Sequence, residues 1–206
     1  MNLLTPTSGY KVSPALVAIN VVVFIVLAVM NLSVTQFSPQ SLYWLGANYS
    51  PWVDQGQWWR FITSMFLHFG VAHLLFNSVS LLFLGKIIEP LLGHINFIGL
   101  YLITGIAGSA ASYVFNKGVV SAGASGAIFG LFGIFIAILL SNIMRKDIRD
   151  QWLKSIGAIL AINLGMGLFL PVDNAAHIGG LVSGLILGFA FIPVIKRRLK
   201  KLLSGG

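Results

Sequence analysis

The stretch GASGAIFG, residues 123–130, places one serine, Ser125, among small residues at the head of a long apolar run. A hydroxyl at that place in a membrane span needs polar neighbours, because hydrocarbon offers it no hydrogen bonds. The sequence supplies polar residues at corresponding places in two other apolar runs, HLLFN at residues 73–77 and AHIGG at residues 176–180. We therefore expect these three stretches to meet in one buried pocket.

The composition of the chain is that of a polytopic membrane protein, which we expect to form a single membrane domain over residues 1–206. Of the 206 residues, 57% are hydrophobic and 9% are charged, whereas about 25% are charged in soluble domains. The net charge of +8 does not indicate nucleic-acid binding, since the basic residues cluster at the ends of apolar runs. The chain has no cysteine, which excludes disulfides, a thiolate nucleophile and cysteine-based metal sites.

Six apolar runs are long enough, or nearly long enough, to cross about 30 Å of hydrocarbon, which takes about 20 helical residues. They predict an all-α fold with six transmembrane helices. No small-residue cleavage site follows the first run, so we interpret it as a retained helix and not as a signal peptide. The predicted spans cover residues 14–33, 70–92, 95–115, 121–143, 155–171 and 175–195.

The basic residues predict the orientation of these spans. If the amino terminus lies inside, only Arg60 and Lys117 of the thirteen Lys and Arg residues fall on the outer side. Basic loops face the cytoplasm, so we expect both termini there. The basic tail at residues 196–206 is expected to stop translocation and to attract anionic lipid.

Residues 34–69 are too polar to span the bilayer and too long for a turn. They contain four of the five tryptophans in the chain, and amphipathic aromatic rings gather at the headgroup level. Pro39 and Pro51 would break any long helix in this segment. We expect an interfacial loop in the outer leaflet.

The topology brings four polar residues to one depth. The second, fourth and sixth spans all run from outside to inside, and His73, Asn77, Ser125 and His177 each lie in the first turns of one of them. At about 1.5 Å of rise per residue, they lie on the order of 5 to 10 Å below the outer surface. Polar residues that converge inside a membrane indicate a functional site.

These residue types fit nucleophilic catalysis. A serine hydroxyl attacks well only when a base takes its proton, and histidine, with a reference pKa of about 6.5, suits that task. His73, Asn77 and the Ser125 amide are candidate donors to an oxyanion. Each residue alone also has a simpler explanation: the serine bonding to a carbonyl one turn earlier, or the histidines packing at the interface. His94, on the inner side away from the rest, is assigned to the surface.

Asp173 is a candidate third member of a triad, since it precedes His177 by four residues. Alternatively, Asp173 or Asn174 caps the sixth span, with Pro171 ending the fifth. The second alternative is favoured, and with it a dyad of Ser125 and His177.

Small residues predict which helices pack most closely. Gly126 and Gly130 form one G-x-x-x-G pattern, and Gly180, Gly184 and Gly188 extend a second along the sixth span. Such faces let helix backbones approach closely in lipid. The fourth and sixth spans are therefore the expected partners.

Taken together, these motifs resemble the rhomboid family of intramembrane serine proteases, in its minimal six-helix bacterial form, over nearly the whole chain. A lone G-x-S-G is a weak signal, but the ordered set is specific. The motifs are Trp59-Arg60, His68, His73-x-x-x-Asn77, Glu89, Gly123-x-Ser125-Gly126 and Ala176-His177-x-x-Gly180-x-x-x-Gly184.

The resemblance implies an endopeptidase that cuts transmembrane substrate helices near the outer leaflet, with no metal or other cofactor and with a location in the bacterial plasma (inner) membrane. Ser125 would be the nucleophile and His177 its base, with His73, Asn77 and the Ser125 amide around the oxyanion. His68 would lie on the path of the hydrolytic water. Trp59 and Arg60 would anchor the first loop.

The resemblance also implies that Glu89 is a structural residue at the cytoplasmic end. It further implies that the fifth helix, residues 155–171, acts as a gate and that the loop at residues 170–174 acts as a cap. Phe129 stands where some relatives carry a tyrosine that stacks on the catalytic histidine. It keeps the ring and loses the hydroxyl. Two other functions remain open: a catalytically silent relative that binds and sorts membrane helices, and a small transporter.

Overall fold

The computed structural model describes residue 7, residues 9–167, residue 169 and residues 172–204, which fold into helices with no strand longer than an isolated bridge. Six helices in this described part have sixteen residues or more. They are α1 (Val12–Asn31), α2 (Val71–Leu92), α3 (His94–Phe115), α4 (Ser125–Leu140), α5 (Lys146–Met166) and α6 (Asn174–Ser204). The predicted all-α fold is confirmed.

Four of the described helices are long and apolar enough to cross a membrane: α1, α2, α3 and the Asn174–Lys201 part of α6. The chain is therefore an integral membrane protein. Helix α4 is apolar but has 16 residues, and the first two turns of α5 carry four charged residues. The count of six spans stays a prediction for these two helices.

The starts of two helices differ by four residues or more from the sequence-based ones, in each case for a local reason. Helix α4 begins at Ser125 and not near residue 121, because Gly123 has φ +138°, which a right-handed helix excludes. Helix α5 begins at Lys146, nine residues before the predicted start, because its first turns combine lysine, arginine and glutamine, which favour helix, with an aspartate that suits a helix start, although none of these is apolar. Leu168, Leu170 and Pro171, part of the predicted gate and cap, lie outside the described residues.

Helix α4 forms the centre of the bundle, with nearly every side chain buried. A Cβ atom on Gly180 would collide with the carbonyl oxygen of Gly126, and one on Gly184 would collide with that of Gly130. The expected close packing of the fourth and sixth helices through glycine faces is confirmed.

A third close contact, which the sequence-based analysis missed, involves α3. A Cβ atom on Gly108 would lie 2.8 Å from the carbonyl oxygen of Ala176 and 3.3 Å from the Cα atom of Gly126. Helix α3 therefore supports the α4–α6 contact at the level of Ser125 and His177.

Glu89, near the end of α2, caps the start of α1. Its buried carboxylate accepts hydrogen bonds from the backbone N–H groups of Lys11, Val12 and Ser13, at 2.7, 2.8 and 3.0 Å, and from the Ser13 hydroxyl at 2.7 Å. The first N–H groups of a helix lack intrahelical partners and attract negative charge. Glu89 therefore holds the first two long helices together.

His94 pairs with this same carboxylate. Its Nδ1 atom lies 2.7 Å from Glu89 Oε1, and its side chain is 36% exposed. The surface assignment made from sequence is therefore incomplete, because the residue five positions away supplies a buried partner across the turn between α2 and α3.

We expect Glu89→Gln to destabilise the protein by about 3 kcal/mol, because an amide nitrogen would face backbone N–H donors in a buried site. Thermal and denaturant unfolding in detergent micelles would measure this. Asp147→Asn is the matched control, since Asp147 pairs with Arg145 in an exposed contact, and such contacts contribute little. Equal stability of the Glu89 variant and the parent would contradict the capping role.

The segment between α1 and α2 folds into short helical turns, Pro39–Trp44, Ser50–Val53, Arg60–Thr63 and the 3₁₀ turn Ser64–Phe66. Arg60, 3% exposed, organises them. It donates hydrogen bonds to the carbonyl oxygens of Tyr43 and Ala47 at 2.9 and 2.8 Å, and its guanidinium lies 4.3 Å from the ring of Trp52. Trp59 has more than half of its surface exposed, so its anchoring role and the interfacial position of the loop stay predictions.

Candidate active site

Ser125 is the first residue of α4, and a hydrogen bond to the segment before α2 fixes the loop that precedes it. The backbone N–H of Gly123 donates to the carbonyl oxygen of Ser64 at 2.9 Å, and Ala124 is fully buried. The N–H groups in the first turn of a helix have no intrahelical acceptor. The Ser125 backbone N–H therefore makes no hydrogen bond within the helix, and it lies next to the Ser125 hydroxyl.

The Ser125 hydroxyl contacts His177, which lies in the first turn of α6. The Oγ atom is 2.9 Å from Nε2 of the ring, within hydrogen-bond distance. The ring also stacks on Phe129, with centroids 4.0 Å apart and planes 7° apart. The stacking contact and the Nε2 contact together orient the imidazole toward the serine. The phenylalanine at position 129 makes the stacking contact without a hydroxyl.

The ring of His73 lies close to the backbone that precedes Ser125. A Cβ atom on Gly123 would be 2.7 Å from Cε1 and 2.9 Å from Nε2 of the His73 ring, and 3.6 Å from Ser125 Oγ. Only glycine leaves this space open, so the Nε2 edge of His73 faces the backbone just before Ser125. Phe69 stacks on the far side of the His73 ring at 5.8 Å, a contact that sequence spacing did not predict.

Asn77 is buried one turn below His73 on α2. Its side-chain nitrogen donates to the carbonyl oxygen of His73 at 3.0 Å. That bond uses one of the two N–H groups of the amide and leaves the other available.

His68, which was expected on the path of the hydrolytic water, is fully buried against this site. Its ring meets that of His73 edge to face at 5.1 Å, and neither of its nitrogens makes a well-formed hydrogen bond within the described residues. Burial lowers the pKa of the His68 imidazole to about 3, with the carbonyl of Phe66 opposing part of that shift. His68 is therefore neutral at physiological pH.

The start of α6 is capped by Asp173. Its Oδ1 atom accepts the backbone N–H of Ala176 at 3.0 Å and the side-chain N–H of Asn116, from the end of α3, at 2.6 Å. Asn174 donates to the carbonyl oxygen of Leu164 on α5 at 3.0 Å. The favoured capping interpretation is confirmed for Asp173, and both contacts tie the helix that carries His177 to its neighbours.

The geometry therefore joins three of the predicted residues, Ser125, His177 and His73, around one point, with Asn77 and His68 behind them. Within the described part of the chain, no group of three His, Asp or Glu residues is placed to bind a metal ion.

Comparison with known proteins places this arrangement in a family. The model of the Rhomboid domain matches residues 55–194, which include every candidate site residue. The chain belongs to the rhomboid family. Among rhomboid relatives, it is 38% identical over 194 residues to Rhomboid protease GluP of Bacillus subtilis (strain 168), covering 91% of this chain and 36% of that protein.

Two further rhomboid relatives show the breadth of the match. The putative rhomboid protease YdcA of the same bacterium is 37% identical over 152 residues, 73% of this chain and 75% of YdcA. RHOMBOID-like protein 1 of Arabidopsis thaliana is 42% identical over 140 residues, 68% of this chain and 36% of that protein. The chain thus spans about a third of the length of GluP and of the plant protein.

Proposed function

We propose that this protein is an intramembrane serine endopeptidase that hydrolyses peptide bonds of transmembrane substrate helices near the outer leaflet. The observation that carries the proposal is the 2.9 Å contact between Ser125 Oγ and His177 Nε2 inside a membrane bundle. The names of GluP and YdcA, both called rhomboid proteases, support it. Transmembrane proteins and membrane lipids are the proposed partners.

In the acylation step, Ser125 Oγ attacks the carbonyl carbon of the scissile bond while its proton passes to Nε2 of His177. The carbonyl π electrons move to oxygen, which forms an oxyanion. As the intermediate collapses, the C–N bond breaks and the proton on His177 passes to the departing amine. The products are an acyl ester on Ser125 and the carboxyl-side fragment with a free amino group.

Deacylation repeats these steps with water as the nucleophile. His177 takes a proton from the water as it attacks the ester carbonyl, and returns that proton to Ser125 Oγ when the C–O bond breaks. The second fragment leaves with a carboxyl group. The polar side chains of His68 and the outer loop are proposed to mark the path of the water, which must come from the outer side.

The oxyanion is proposed to form between three donors: the free amide of Ser125, Nε2 of His73 and the second N–H of Asn77. His73 Nε2 faces the Gly123 backbone just before Ser125, which supports its place among these donors. Donors aimed at the developing charge typically contribute about 10²- to 10³-fold to turnover each.

Substrate choice follows from the same chemistry. A helix hides its scissile carbonyl in its own hydrogen bonds, so the substrate must unwind locally. We propose substrates with small residues at the cleaved bond and helix-breaking residues nearby, which lower the cost of unwinding.

The surroundings of the site complete the proposal. Residues 1–206 are proposed to act as a single membrane domain in the bacterial plasma membrane, with both termini cytoplasmic and the active site toward the outer face. The distribution of basic residues supports this orientation. The tail, which continues α6 as a helix to Ser204, is proposed to meet anionic headgroups.

A catalytically silent relative that binds and sorts membrane helices is the alternative function. The hydrogen bond between Ser125 and His177 argues against it, since a sorting protein has no use for a paired nucleophile and base. A transporter would need broken helices in matching halves at the membrane midplane, whereas here the polar residues gather at one end of α2, α4 and α6.

Reconstitution in liposomes with a generic single-span reporter distinguishes these functions. We expect two fragments, and mass spectrometry should place the cut in the outer part of the reporter helix. A co-purified but uncut reporter would favour a sorting protein and contradict the proposal.

A further inference from the structure

Three polar atoms at the start of α6 are buried and have no hydrogen-bond partner among the described protein atoms. They are Oδ2 of Asp173, Oδ1 of Asn174 and Nδ1 of His177. The His177 side chain is only 5% exposed. Buried polar atoms in proteins almost always have a partner, either a protein group or an ordered water.

The three residues are neighbours on the helix surface. His177 follows Asp173 by four positions and Asn174 by three, spacings that bring side chains together on one helical face. Side chains in a helix also lean toward its amino-terminal end, so the His177 ring extends toward Asp173. The Asp173 carboxylate acts electrostatically on that ring.

The remaining atoms of the two acceptors are already fixed. Asp173 Oδ1 accepts from the Ala176 backbone and from Asn116 at 3.0 and 2.6 Å. The Asn174 side-chain nitrogen donates to the Leu164 carbonyl at 3.0 Å. Neither side chain is free to turn and bring its unpartnered oxygen to another group.

Catalysis requires a proton on the third unpartnered atom, Nδ1 of His177. For Nε2 of His177 to accept the Ser125 proton, the neutral ring must carry its own proton on Nδ1. That N–H then needs an acceptor, and the unpartnered atoms nearest in sequence are both oxygens.

We propose that one buried water joins Nδ1 of His177 to Oδ2 of Asp173, which makes Asp173 a positioning residue for the imidazole. The water accepts the Nδ1–H bond and donates its two hydrogens to Oδ2 of Asp173 and Oδ1 of Asn174. Three bonds are the usual number for a buried water, and together they satisfy all three atoms.

The catalytic consequence rests on the proposed function. The bridge holds His177 in the tautomer that accepts from Ser125, and the negative carboxylate stabilises the imidazolium that forms when the serine attacks. The proton stays on the imidazole throughout. His73 and Asp173 are the titratable groups near this ring, and of the two only Asp173 carries a negative charge.

The test separates two roles of Asp173: capping the start of α6 and binding the proposed water through Oδ2. Serine is as good a helix cap as aspartate, so Asp173→Ser keeps the cap and removes Oδ2 and its charge. With the liposome reporter, we expect kcat to fall by about 10- to 100-fold, the range found when a hydrogen-bond partner that orients a functional histidine is removed. KM should stay unchanged, because Asp173 does not touch the substrate.

Asn116→Ala is the matched control. It removes the contact to Oδ1 of Asp173 but leaves Oδ2, so kcat should stay close to that of the parent. A loss in Asn116→Ala equal to the loss in Asp173→Ser would show that only the anchoring of the helix start matters and would overturn the bridge.

A spectroscopic measurement decides the tautomer without any activity. In protein with ¹⁵N-labelled histidine, the His177 signals are identified by their disappearance in His177→Ala. We expect the Nδ1–H form in the parent and a mixture of both forms in Asp173→Ser. An unchanged tautomer in Asp173→Ser overturns the inference even if kcat falls, whereas an inactive parent would overturn the proposed function and leave the tautomer result valid.

Discussion

Replacing Ser125 by alanine should reduce cleavage of a transmembrane reporter by roughly 10⁵- to 10⁶-fold, the scale seen when the nucleophile of a serine protease is removed. The loss should appear in kcat with reporter binding unchanged, because the hydroxyl acts only when the tetrahedral intermediate forms. Initial rates in liposomes, together with a pull-down of uncut reporter, would measure both quantities.

Ser183→Ala is the control that the chain offers for this experiment. Ser183 also lies on a membrane helix, α6, but its hydroxyl donates to the carbonyl oxygen of Gly180 at 2.9 Å, one turn back on its own helix. Its removal should leave the cleavage rate unchanged. Comparable losses in both serine variants would mean that the effect comes from helix packing and not from a nucleophile.

Gly180→Ala should lower the cleavage rate at least about 100-fold and reduce the free energy of unfolding by about 1–3 kcal/mol. The Cβ atom would meet the carbonyl oxygen of Gly126, so α4 and α6 must move apart. Gly126 adjoins Ser125, and Gly180 lies one turn below His177. Moving the two helices apart therefore lengthens the distance between Ser125 Oγ and His177 Nε2.

Gly157→Ala makes the same chemical change where no atom lies within 4 Å of the new methyl group. It should be neutral or slightly stabilising, since alanine is a better helix former than glycine. Reporter cleavage and thermal unfolding of both variants would be compared. A Gly180→Ala protein with the activity and unfolding midpoint of the parent would show that the glycine contact does not set the site geometry.

The sequence predicted much of this arrangement because membrane spans are strongly constrained. Hydropathy gives the approximate helix bounds, alternation of direction gives the depth of each residue, and glycine spacing gives the closest helix pair. These three constraints were enough to expect Ser125 beside His177, and the structure places them 2.9 Å apart.

What the sequence did not predict depends on side-chain direction and on contacts between distant segments. Arg60 was expected to anchor the first loop, but its stacking on Trp52 requires knowledge of how the loop folds back. Gly108 belongs to no G-x-x-x-G pattern, and only the weaker row of small residues Thr104, Gly108 and Ser112 pointed to its close approach to Ala176 and Gly126.

Polar contacts across turns were also missed. His94 was assigned to the surface because it follows the end of a span, yet Glu89 lies beside it and binds the start of α1 as well. Asn116 has no recognisable motif, but it fixes the residue that caps the His177 helix. Such pairs join side chains that are adjacent only once the helices have packed.

The most direct measurement of the central claim, that His177 activates Ser125, is covalent labelling with a fluorophosphonate probe. The parent protein in detergent micelles should be modified at Ser125, identified by mass spectrometry of the labelled peptide, and His177→Ala should lose the label while it still unfolds in one cooperative transition. Equal labelling of the two proteins at Ser125, or labelling of the parent at another serine, would contradict the account.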